Sequence, residues 1–239
     1  KKIIHISIIT STYNRKHFLR EAIESVRSSV LAPLSFLWEH IIYDDGSVDG
    51  TKEMMAEINH KDLVYLPGLQ NQGQSYGKNK AIERAQGRYI LVLDSDDILL
   101  VRTLHNFFSL ALAYPKIDWF TSDFLHVDEH LLYLPGRDYW GSKFKNTQEM
   151  LEAIFKGEHY LQANVFFKKD LYLKAGKFDE GMFMGEDIDL YIRFLRLESF
   201  PLYSNFISHL HRIHTSNISG GVTVDVHITT AKELRKKYQ

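Results

Sequence analysis

The chain has 239 residues, 44% hydrophobic and 25% charged, a balance that rules out disorder as its main state and suits a large α/β domain. Its 29 Lys and Arg nearly match its 30 Asp and Glu, so duplex nucleic acid is not expected as the main partner. The absence of cysteine excludes disulfides, thiolate zinc sites, iron–sulfur clusters and cysteine nucleophiles.

The first hundred residues alternate between strand and helix patterns. Runs rich in β-branched and other apolar residues predict strands at 3–10, 38–43, 63–66 and 88–93. Helical spacing of apolar residues predicts helices at 16–30, 48–58 and 75–85. This β-α-β order predicts an α/β fold with a mostly parallel sheet covered by helices.

The alternation loosens after residue 100. Strands are predicted at 118–127, 161–167 and 203–214, and helices at 101–114, 146–156, 169–175, 186–197 and 226–238. Residues 130–145 read as a long irregular loop. Without repeats or a clear linker, the sequence predicts one domain over 1–239, with lobes at 1–100 and 101–239.

Polar clusters follow three of the predicted strands, at 10–14, 44–47 and 94–97. Ligands of parallel α/β sheets bind beyond the carboxyl ends of the strands. The three clusters therefore predict a binding site at one edge of the sheet.

The last cluster contains Asp94, Asp96 and Asp97. A turn or helix cap needs one carboxylate, whereas three within four positions repel one another unless a cation or hydrogen-bond donors offset the charge. On an extended chain Asp94 and Asp96 would share one face and could hold Mg²⁺ or Mn²⁺ with room for phosphate oxygens. Spacing alone leaves the turn and the metal site equally open.

Other polar residues also have two interpretations. Asp44 ends a strand and could accept a hydrogen bond from a nucleobase, whereas Ser47, Asp49 and Thr51 suit a turn and a helix cap. Glu186 and Asp187 follow Gly185 at a helix start, where the helix dipole favours carboxylates, but Asp187 could also act as a general base. Asp189 is interpreted as a helix-surface or structural carboxylate.

Three histidines, His209, His211 and His214, lie close together in the chain. The pattern is typical of histidines in a strand that form hydrogen bonds with backbone groups or water. A three-histidine zinc site is the less favoured alternative, because the spacing matches no common zinc signature. Tyr139, Trp140 and Tyr160 could stack on an acceptor sugar, with core packing as the alternative, notably for Tyr160.

Several motifs together resemble the family 2 glycosyltransferases, which have the GT-A fold and include many bacterial nucleotide-sugar transferases. The matching segments are SIITSTYNR at 7–15, DDGSVDGT at 44–51, NQG at 71–73, GKN at 77–79, GRYI at 87–90, LDSDD at 93–97, GKFDE at 176–180, GEDIDL at 185–190, and RIH at 212–214 with Asn217 and Ser219. The matches run in order from residue 3 to about 219 and are jointly specific.

The resemblance implies roles for individual residues. Thr10 and Tyr13 would line a base pocket, and Asp44 would bind a uracil-type ring. Asp94 and Asp96 would form the DxD element, contacting the ribose and a metal held by the diphosphate. Asp187 would be the catalytic base, Glu186 a substrate contact, and His214 a further metal or diphosphate contact. Lys78 would be a further substrate contact, with its cation near the base or the phosphates. It stands where the family usually has arginine and lacks the planar guanidinium fork.

The sequence thus predicts a GT-A-type, Rossmann-like fold with a C-terminal acceptor-side lobe. The resemblance implies inverting transfer from a nucleotide-diphospho-sugar, with uridine as the expected nucleoside, to a hydroxyl of a saccharide or lipid-linked acceptor, aided by Mn²⁺ or Mg²⁺. The implied process is cell-surface polysaccharide synthesis.

No apolar stretch approaches 18 residues, so a transmembrane helix is not expected. A cytoplasmic enzyme, with peripheral contact to the inner face of the membrane for a lipid-linked acceptor, is the resulting expectation.

Two other functions stay open. A sugar nucleotidyltransferase would need a Gly-rich signature bearing Arg or Lys near the N-terminus, which residues 11–14 lack. A non-catalytic nucleotide-sugar or glycan binder is disfavoured by the joint presence of Asp94, Asp96 and Asp187. The chain also lacks a P-loop, a GxGxxG fingerprint and a nucleophile elbow.

Overall fold

The computed structural model describes residues 5–30, 36–136, 144–217 and 224–238, with side chains of the last range from 229 onward. This part of the chain forms strands and helices in nearly regular alternation. In order they are β1 (Ile6–Thr12), α1 (Lys16–Ser29), β2 (Trp38–Asp44), α2 (Thr51–Glu57), β3 (Leu63–Pro67), α3 (Gln74–Arg84), β4 (Tyr89–Val92), β5 (Ile98–Leu99), α4 (Thr103–Ala113), β6 (Trp119–Val127), α5 (Thr147–Lys156), β7 (Val165–Lys168), α6 (Lys169–Ala175), α7 (Glu186–Arg196), β8 (Leu202–Arg212) and α8 (Val224–Tyr238).

The eight described strands form one sheet in the order β3-β2-β1-β4-β7-β6-β8-β5. The strands β1 to β4 are parallel to one another, as the β-α-β pattern predicted. In the second half, β6 and β8 are parallel, but β7 is antiparallel to both β4 and β6, and β5 is antiparallel to β8. The predicted fold class, a mostly parallel sheet flanked by helices, is confirmed.

Several predicted boundaries were wrong, two of them at the start of an element by three or four residues. The strand predicted at 161–167 begins only at Val165, and the helix predicted from residue 48 begins at Thr51. Gly50 precedes that helix with a left-handed φ of 85°, a conformation that glycine adopts without a Cβ penalty. The Asp49 carboxylate accepts hydrogen bonds from the backbone N–H of Lys16 at 2.8 Å and of Thr51 at 3.1 Å. Asp49 thus joins the starts of α1 and α2.

Helices cover both faces of the sheet, which explains why its central strands are almost continuously apolar. Ile8 of β1 and Leu91 of β4 face a core cluster that includes residues of α1 and α4. Their neighbours Ile9 and Val92 point the other way, into a larger cluster with residues of α3, α5, α6 and α7. The alternation of side chains along each strand therefore fills two cores at once.

The ends of β1, β2 and β4 meet at one edge of the sheet. Thr12 lies in register with Asp44, at the last positions of β1 and β2. The backbone N–H of Leu93 donates to the carbonyl of Ile9 at 2.9 Å, which keeps the chain after β4 beside β1. The polar clusters that follow these strands are consequently brought together, as the sequence predicted.

Asp189 attaches the C-terminal helix to α7. Its side chain is fully buried and accepts hydrogen bonds from Lys237 at 2.8 Å, from the Tyr238 hydroxyl at 2.6 Å and from Arg193 at 2.7 Å. Of the two interpretations that the sequence left open, Asp189 is the structural carboxylate.

Candidate active site

A cleft of about 570 Å³ opens at the carboxyl edge of the strands. This volume lies within the usual range for small-molecule sites. Its walls combine the polar clusters of the first half with the start of α7 and the segment before β7. Among the residues lining it are Thr12, Tyr13, Arg15, Asp45, Lys78, Asp94, Asp96, Gln162, Phe183, Glu186, Asp187, His211 and Asn217.

Asp94 and Asp96 lie in a tight turn after β4. The backbone N–H of Asp97 donates to the carbonyl of Asp94 at 3.2 Å. The expectation that an extended chain would place both side chains on one face was therefore wrong, because the turn sends the two carboxylates to different partners. Asp94 faces Lys78, whereas Asp96 contacts cationic and polar groups from the ends of the chain.

Lys78 is a buried cation held between carboxylates. Its ammonium lies 2.8 Å from Glu186 Oε1 and 3.2 Å from Asp94 Oδ1, and the residue is only 5% exposed. Burial alone would lower the pKa of Lys78, but Asp94, Glu186 and Asp187 together raise it well above its usual value. Lys78 is therefore charged and committed to carboxylates of the protein.

Glu186 is equally engaged. Besides the contact of Oε1 with Lys78, its Oε2 accepts a hydrogen bond from the side-chain amide of Gln74 at 2.8 Å. The carboxylate thus ties the first turn of α7 to α3 at the rim of the cleft. Its predicted role as a substrate contact stays a prediction, since both oxygens already have protein partners.

Asp187 is partly buried in the cleft wall at the start of α7. Its Oδ1 accepts a hydrogen bond from the Ile188 N–H at 2.8 Å. Burial, followed by the charge of Glu186, raises its pKa from 3.8 to about 7, although Lys78 acts in the opposite direction. A carboxylate with a pKa near neutrality, facing a cleft, can exchange a proton with a bound hydroxyl group.

Asp96 connects the turn after β4 with segments that are distant from it in the sequence. Its Oδ2 accepts hydrogen bonds from Arg15, from His214 Nε2 at 3.0 Å and from the Asn217 side chain at 3.1 Å. Arg15 also donates to the carbonyl of Ser216 at 2.8 Å. The turn after β4 is consequently linked to both α1 and the segment after β8.

The pair of Asp96 and His214 can also hold a divalent cation. Both residues are buried, and they offer a carboxylate oxygen and an imidazole nitrogen 3.0 Å apart. Such a mixed donor pair fits Mn²⁺ or Mg²⁺ when diphosphate oxygens and water complete the shell. Arg15 contacts the same carboxylate oxygen, so a cation bound there would share or take its place.

Of the residues predicted to hold a base, the structure places only Tyr13 in the wall of the cleft. Tyr13 lines the cleft and is 43% exposed. Thr10 is fully buried, where its hydroxyl donates to the carbonyl of Leu93 at 2.8 Å and lies 2.9 Å from His40 Nε2. The predicted base contact of Thr10 is therefore corrected, because Thr12 and not Thr10 lines the cleft.

Asp44 is buried behind the cleft. Its two carboxylate oxygens accept hydrogen bonds from the Ser47 N–H at 2.9 Å and from the Tyr65 hydroxyl at 2.6 Å. Its neighbour Asp45 lines the cleft and accepts from the N–H groups of Gln72 and Gly73. The role of Asp44 toward a base stays a prediction that would require one of these partners to move.

Of the three aromatic residues predicted to stack on an acceptor sugar, Tyr160 is the one that lies within the described part of the chain. Tyr160 is 3% exposed and packs in the larger core, with its hydroxyl 2.7 Å from that of Thr121. Core packing, the alternative interpretation, is thus its position. Tyr139 and Trp140 lie outside the described residues. Phe183, which the sequence did not single out, is 80% exposed and lines the cleft beside Asp187.

Sequence reasoning also missed Arg15 and Asn217 as individual site residues, although both lie within the motifs quoted above. Their partner Asp96 is 81 residues from Arg15 and 121 residues from Asn217. No local spacing predicts such contacts. The positive charge of Arg15 at the end of a strand motif was the one signal that could have indicated a carboxylate or phosphate partner.

Comparison with known proteins places these features in a family. The family description that matches the chain is "Glycosyl transferase family 2", over residues 7–175. An uncharacterized glycosyltransferase of Methanocaldococcus jannaschii is 27% identical over 96% of this chain and 81% of its own length. A putative teichuronic acid biosynthesis glycosyltransferase of Bacillus subtilis, TuaG, is 41% identical over 38% of this chain and 36% of its own.

A β-1,3-glucosyltransferase of Campylobacter jejuni, named for the acceptor GalNAc(5)-diNAcBac-PP-undecaprenol, is 27% identical over 84% of this chain and 63% of its own length. The chain therefore spans less than two thirds of some of its relatives. Among solved structures, Staphylococcus aureus TarS 1-349 in complex with UDP-GlcNAc aligns with a TM-score of 0.74 and 18% identity, over 97% of this chain and 65% of that one. At this identity the likeness concerns the fold.

Proposed function

The chain belongs to glycosyl transferase family 2, and we propose that it transfers a sugar from a nucleotide-diphospho-sugar to a hydroxyl group of an acceptor, with inversion at the anomeric carbon. The predicted family is thereby confirmed. The donor, the acceptor, the metal and the roles of individual residues are parts of the proposal, and the geometry of the cleft supports them.

The observation that carries the proposal is the position of Asp187. It faces the same cleft as Asp94, Asp96 and Tyr13, and its pKa of about 7 suits a base that works near neutral pH. In the proposed reaction Asp187 takes the proton of an acceptor hydroxyl as its oxygen forms a bond to the anomeric carbon. The bond between that carbon and the diphosphate oxygen breaks, and the nucleoside diphosphate leaves with the electron pair.

Lys78 and Glu186 hold the base in place. Lys78 offsets two carboxylates close to Asp187, and Glu186 fixes the first turn of α7 against α3. The ammonium also lowers the pKa of Asp187, which burial and Glu186 would otherwise raise further. Both carboxylates that Lys78 contacts belong to the protein. We propose that the effect of Lys78 on Asp187, opposed by burial and by Glu186, sets the pKa of the base.

A divalent cation is expected at Asp96 and His214, where the donor pair described above would hold it against the diphosphate. When bound, Mn²⁺ or Mg²⁺ supplies charge stabilisation for the leaving group. Arg15, on the same carboxylate, would add a second positive charge near the phosphates. One similar solved structure, a mannosyltransferase of Pyrobaculum calidifontis, is described with GDP-Man and Mn²⁺.

The proposed donor is a uridine-diphospho-sugar, and the proposed acceptor is a lipid-linked saccharide. The TarS complex with UDP-GlcNAc supports the former, and the undecaprenol-linked acceptor in the name of the Campylobacter protein supports the latter. None of the helices that the structure describes is both long and apolar enough to cross a membrane.

The test is a panel of nucleotide sugars incubated with Mn²⁺, with free nucleoside diphosphate as the readout. Asp187→Asn should reduce turnover about 10²–10⁴-fold and leave donor affinity nearly unchanged, because the amide cannot accept the proton. Asp170→Asn, an exposed change in the first turn of α6, is the matched control and should retain activity. Full activity of Asp187→Asn would refute the assignment of the base.

The two rival functions give different products. A sugar nucleotidyltransferase would release pyrophosphate from a nucleoside triphosphate and a sugar phosphate. A binding protein would show binding of the donor in calorimetry but would neither hydrolyse the donor nor transfer its sugar. Either result, obtained with wild-type protein, would replace the proposed reaction.

A further inference from the structure

A second group of metal-ligand side chains lies behind the cleft, apart from the pair of Asp96 and His214. Asp97, His209 and His211 place one oxygen and two imidazole nitrogens within 4.8 Å of one another. Asp97 is fully buried and His209 is 2% exposed, whereas His211 reaches the wall of the cleft. In the described ranges this is the one such group with three potential ligands.

The distances between the donor atoms are those of a coordination site. Asp97 Oδ2 lies 3.3 Å from His211 Nδ1 and 3.8 Å from His209 Nε2. A tetrahedral ion with bonds of about 2.0–2.2 Å separates neighbouring ligand atoms by about 3.3 Å. Small side-chain movements would therefore bring all three donors to one ion.

Neighbouring groups already orient two of the three ligands. Asp97 Oδ1 accepts a hydrogen bond from the backbone N–H of Arg212 at 3.0 Å, which leaves Oδ2 to face the histidines. The Ser208 hydroxyl donates to the carbonyl of Asp123 and lies 2.9 Å from His209 Nδ1. When the hydroxyl proton goes to that carbonyl, the matching tautomer of His209 carries its hydrogen on Nδ1 and donates it to Ser208.

This arrangement leaves His209 Nε2 with a lone pair. The atom is buried, has no hydrogen-bond partner, and faces Asp97 Oδ2, which is also an acceptor. An ion pair between Asp97 and His211 would explain those two residues, but it would leave the His209 lone pair opposed to a carboxylate. A cation between the three donors resolves this opposition, because it accepts the lone pair and offsets the carboxylate charge.

We propose that Asp97, His209 and His211 form a second metal site, for Zn²⁺, which fixes strand β8 to the turn after β4. Two imidazoles and one carboxylate are a donor set that zinc prefers, whereas Mg²⁺ favours oxygen ligands. The exposed side of His211 toward the cleft gives the ion a path of entry, with water as a fourth ligand. The site shares no ligand with Asp96 and His214, and the proposal does not rest on the proposed reaction.

Metal uptake by the full chain without nucleotide tests this proposal. Wild-type protein stripped with a chelator should bind one equivalent of Co²⁺, used as a visible probe for zinc, with the d–d absorption of a four-coordinate site. Zn²⁺ should displace the cobalt and raise the melting temperature. His209→Asn and His211→Gln should each abolish stoichiometric uptake, and Asp96→Asn should retain it, because Asp96 belongs to the other site.

Two results would overturn the proposal. The first is the absence of stoichiometric Co²⁺ or Zn²⁺ uptake by folded wild-type protein. The second is uptake that Asp96→Asn abolishes while His209→Asn and His211→Gln retain it, which would place the ion at the donor pair of the cleft. X-ray absorption at the zinc edge of the wild type must show two imidazoles around the metal, so the conclusion does not depend on the variants folding.

Discussion

The raised pKa of Asp187 predicts that the same substitution that removes activity stabilises the fold. A carboxyl group whose pKa is higher in the folded than in the unfolded protein releases its proton more readily on unfolding. Its contribution therefore destabilises the folded state as the pH rises from about 4 through the folded pKa of about 7. Asp187→Asn removes this penalty while its amide oxygen can still accept the hydrogen bond from Ile188.

The magnitude follows from the two pKa values. The rise from 3.8 to about 7 corresponds to an upper limit of about 4 kcal/mol, at 1.36 kcal/mol per pH unit. Solvent in the cleft screens part of this penalty, so we expect a gain of about 1–2 kcal/mol at pH 8. In a domain of this size that gain raises the melting temperature by about 2–8 °C.

Thermal unfolding at pH 8 and at pH 4 measures the effect. Asp187→Asn should melt above the wild type at pH 8 and close to it at pH 4, where folded Asp187 is protonated and the penalty has only begun to develop. Asp179→Asn is the opposite case, because hydrogen bonds from Lys237 and the Gly181 N–H lower the pKa of Asp179. That variant should melt below the wild type at pH 8. A pH-independent difference for Asp187→Asn would refute the electrostatic explanation.

Two further variants probe the surroundings of the cleft. Lys78→Met leaves Asp94 and Glu186 without their buried cation and should lower the free energy of unfolding by about 3–5 kcal/mol in urea titrations. It should also move the rise of the pH–rate profile to higher pH, and Lys78→Arg should partly restore both. Gly46→Ala should lower stability by about 2–4 kcal/mol, because φ is +81° and the new Cβ would lie 2.8 Å from Gln70 Cα. Gly157→Ala, with φ +73° in open space, should lose only about 1 kcal/mol in the same melting experiment.

The first half of the fold was predictable because its information is local. Each strand of that half is a short apolar run, each helix has an apolar stripe, and right-handed crossovers then require neighbouring parallel strands. The second half is different, since β7 pairs with β4 through contacts such as Ile90 with Phe167, which are distant in sequence. The two-residue strand β5 is too short for any periodicity to indicate it.

The site was predictable at the level of segments but less so at the level of side chains. Strand ends placed the polar clusters at one edge, and the motifs selected Asp94, Asp96 and Asp187. Successive side chains of a strand point to opposite faces, which separates Thr10 and Thr12 from the intervening Ser11. The same alternation cannot distinguish Thr10 from Thr12. Thr10 and Thr12 share a face of β1, and Thr12, at the last position of the strand, is the one that lines the cleft.

The charges of the cleft explain why carboxylates can gather there without metal ions. Lys78 lies between Asp94 and Glu186, and Arg15 contacts Asp96, so each of these three acids has a close cation. Asp187 accepts a hydrogen bond from a backbone N–H and lies within the field of Glu186, and burial together with that charge raises its pKa to about 7. The pattern separates three acids that are paired with cations from one that can exchange a proton. Such a division of neighbouring carboxylates by their surroundings is the arrangement that general base catalysis requires.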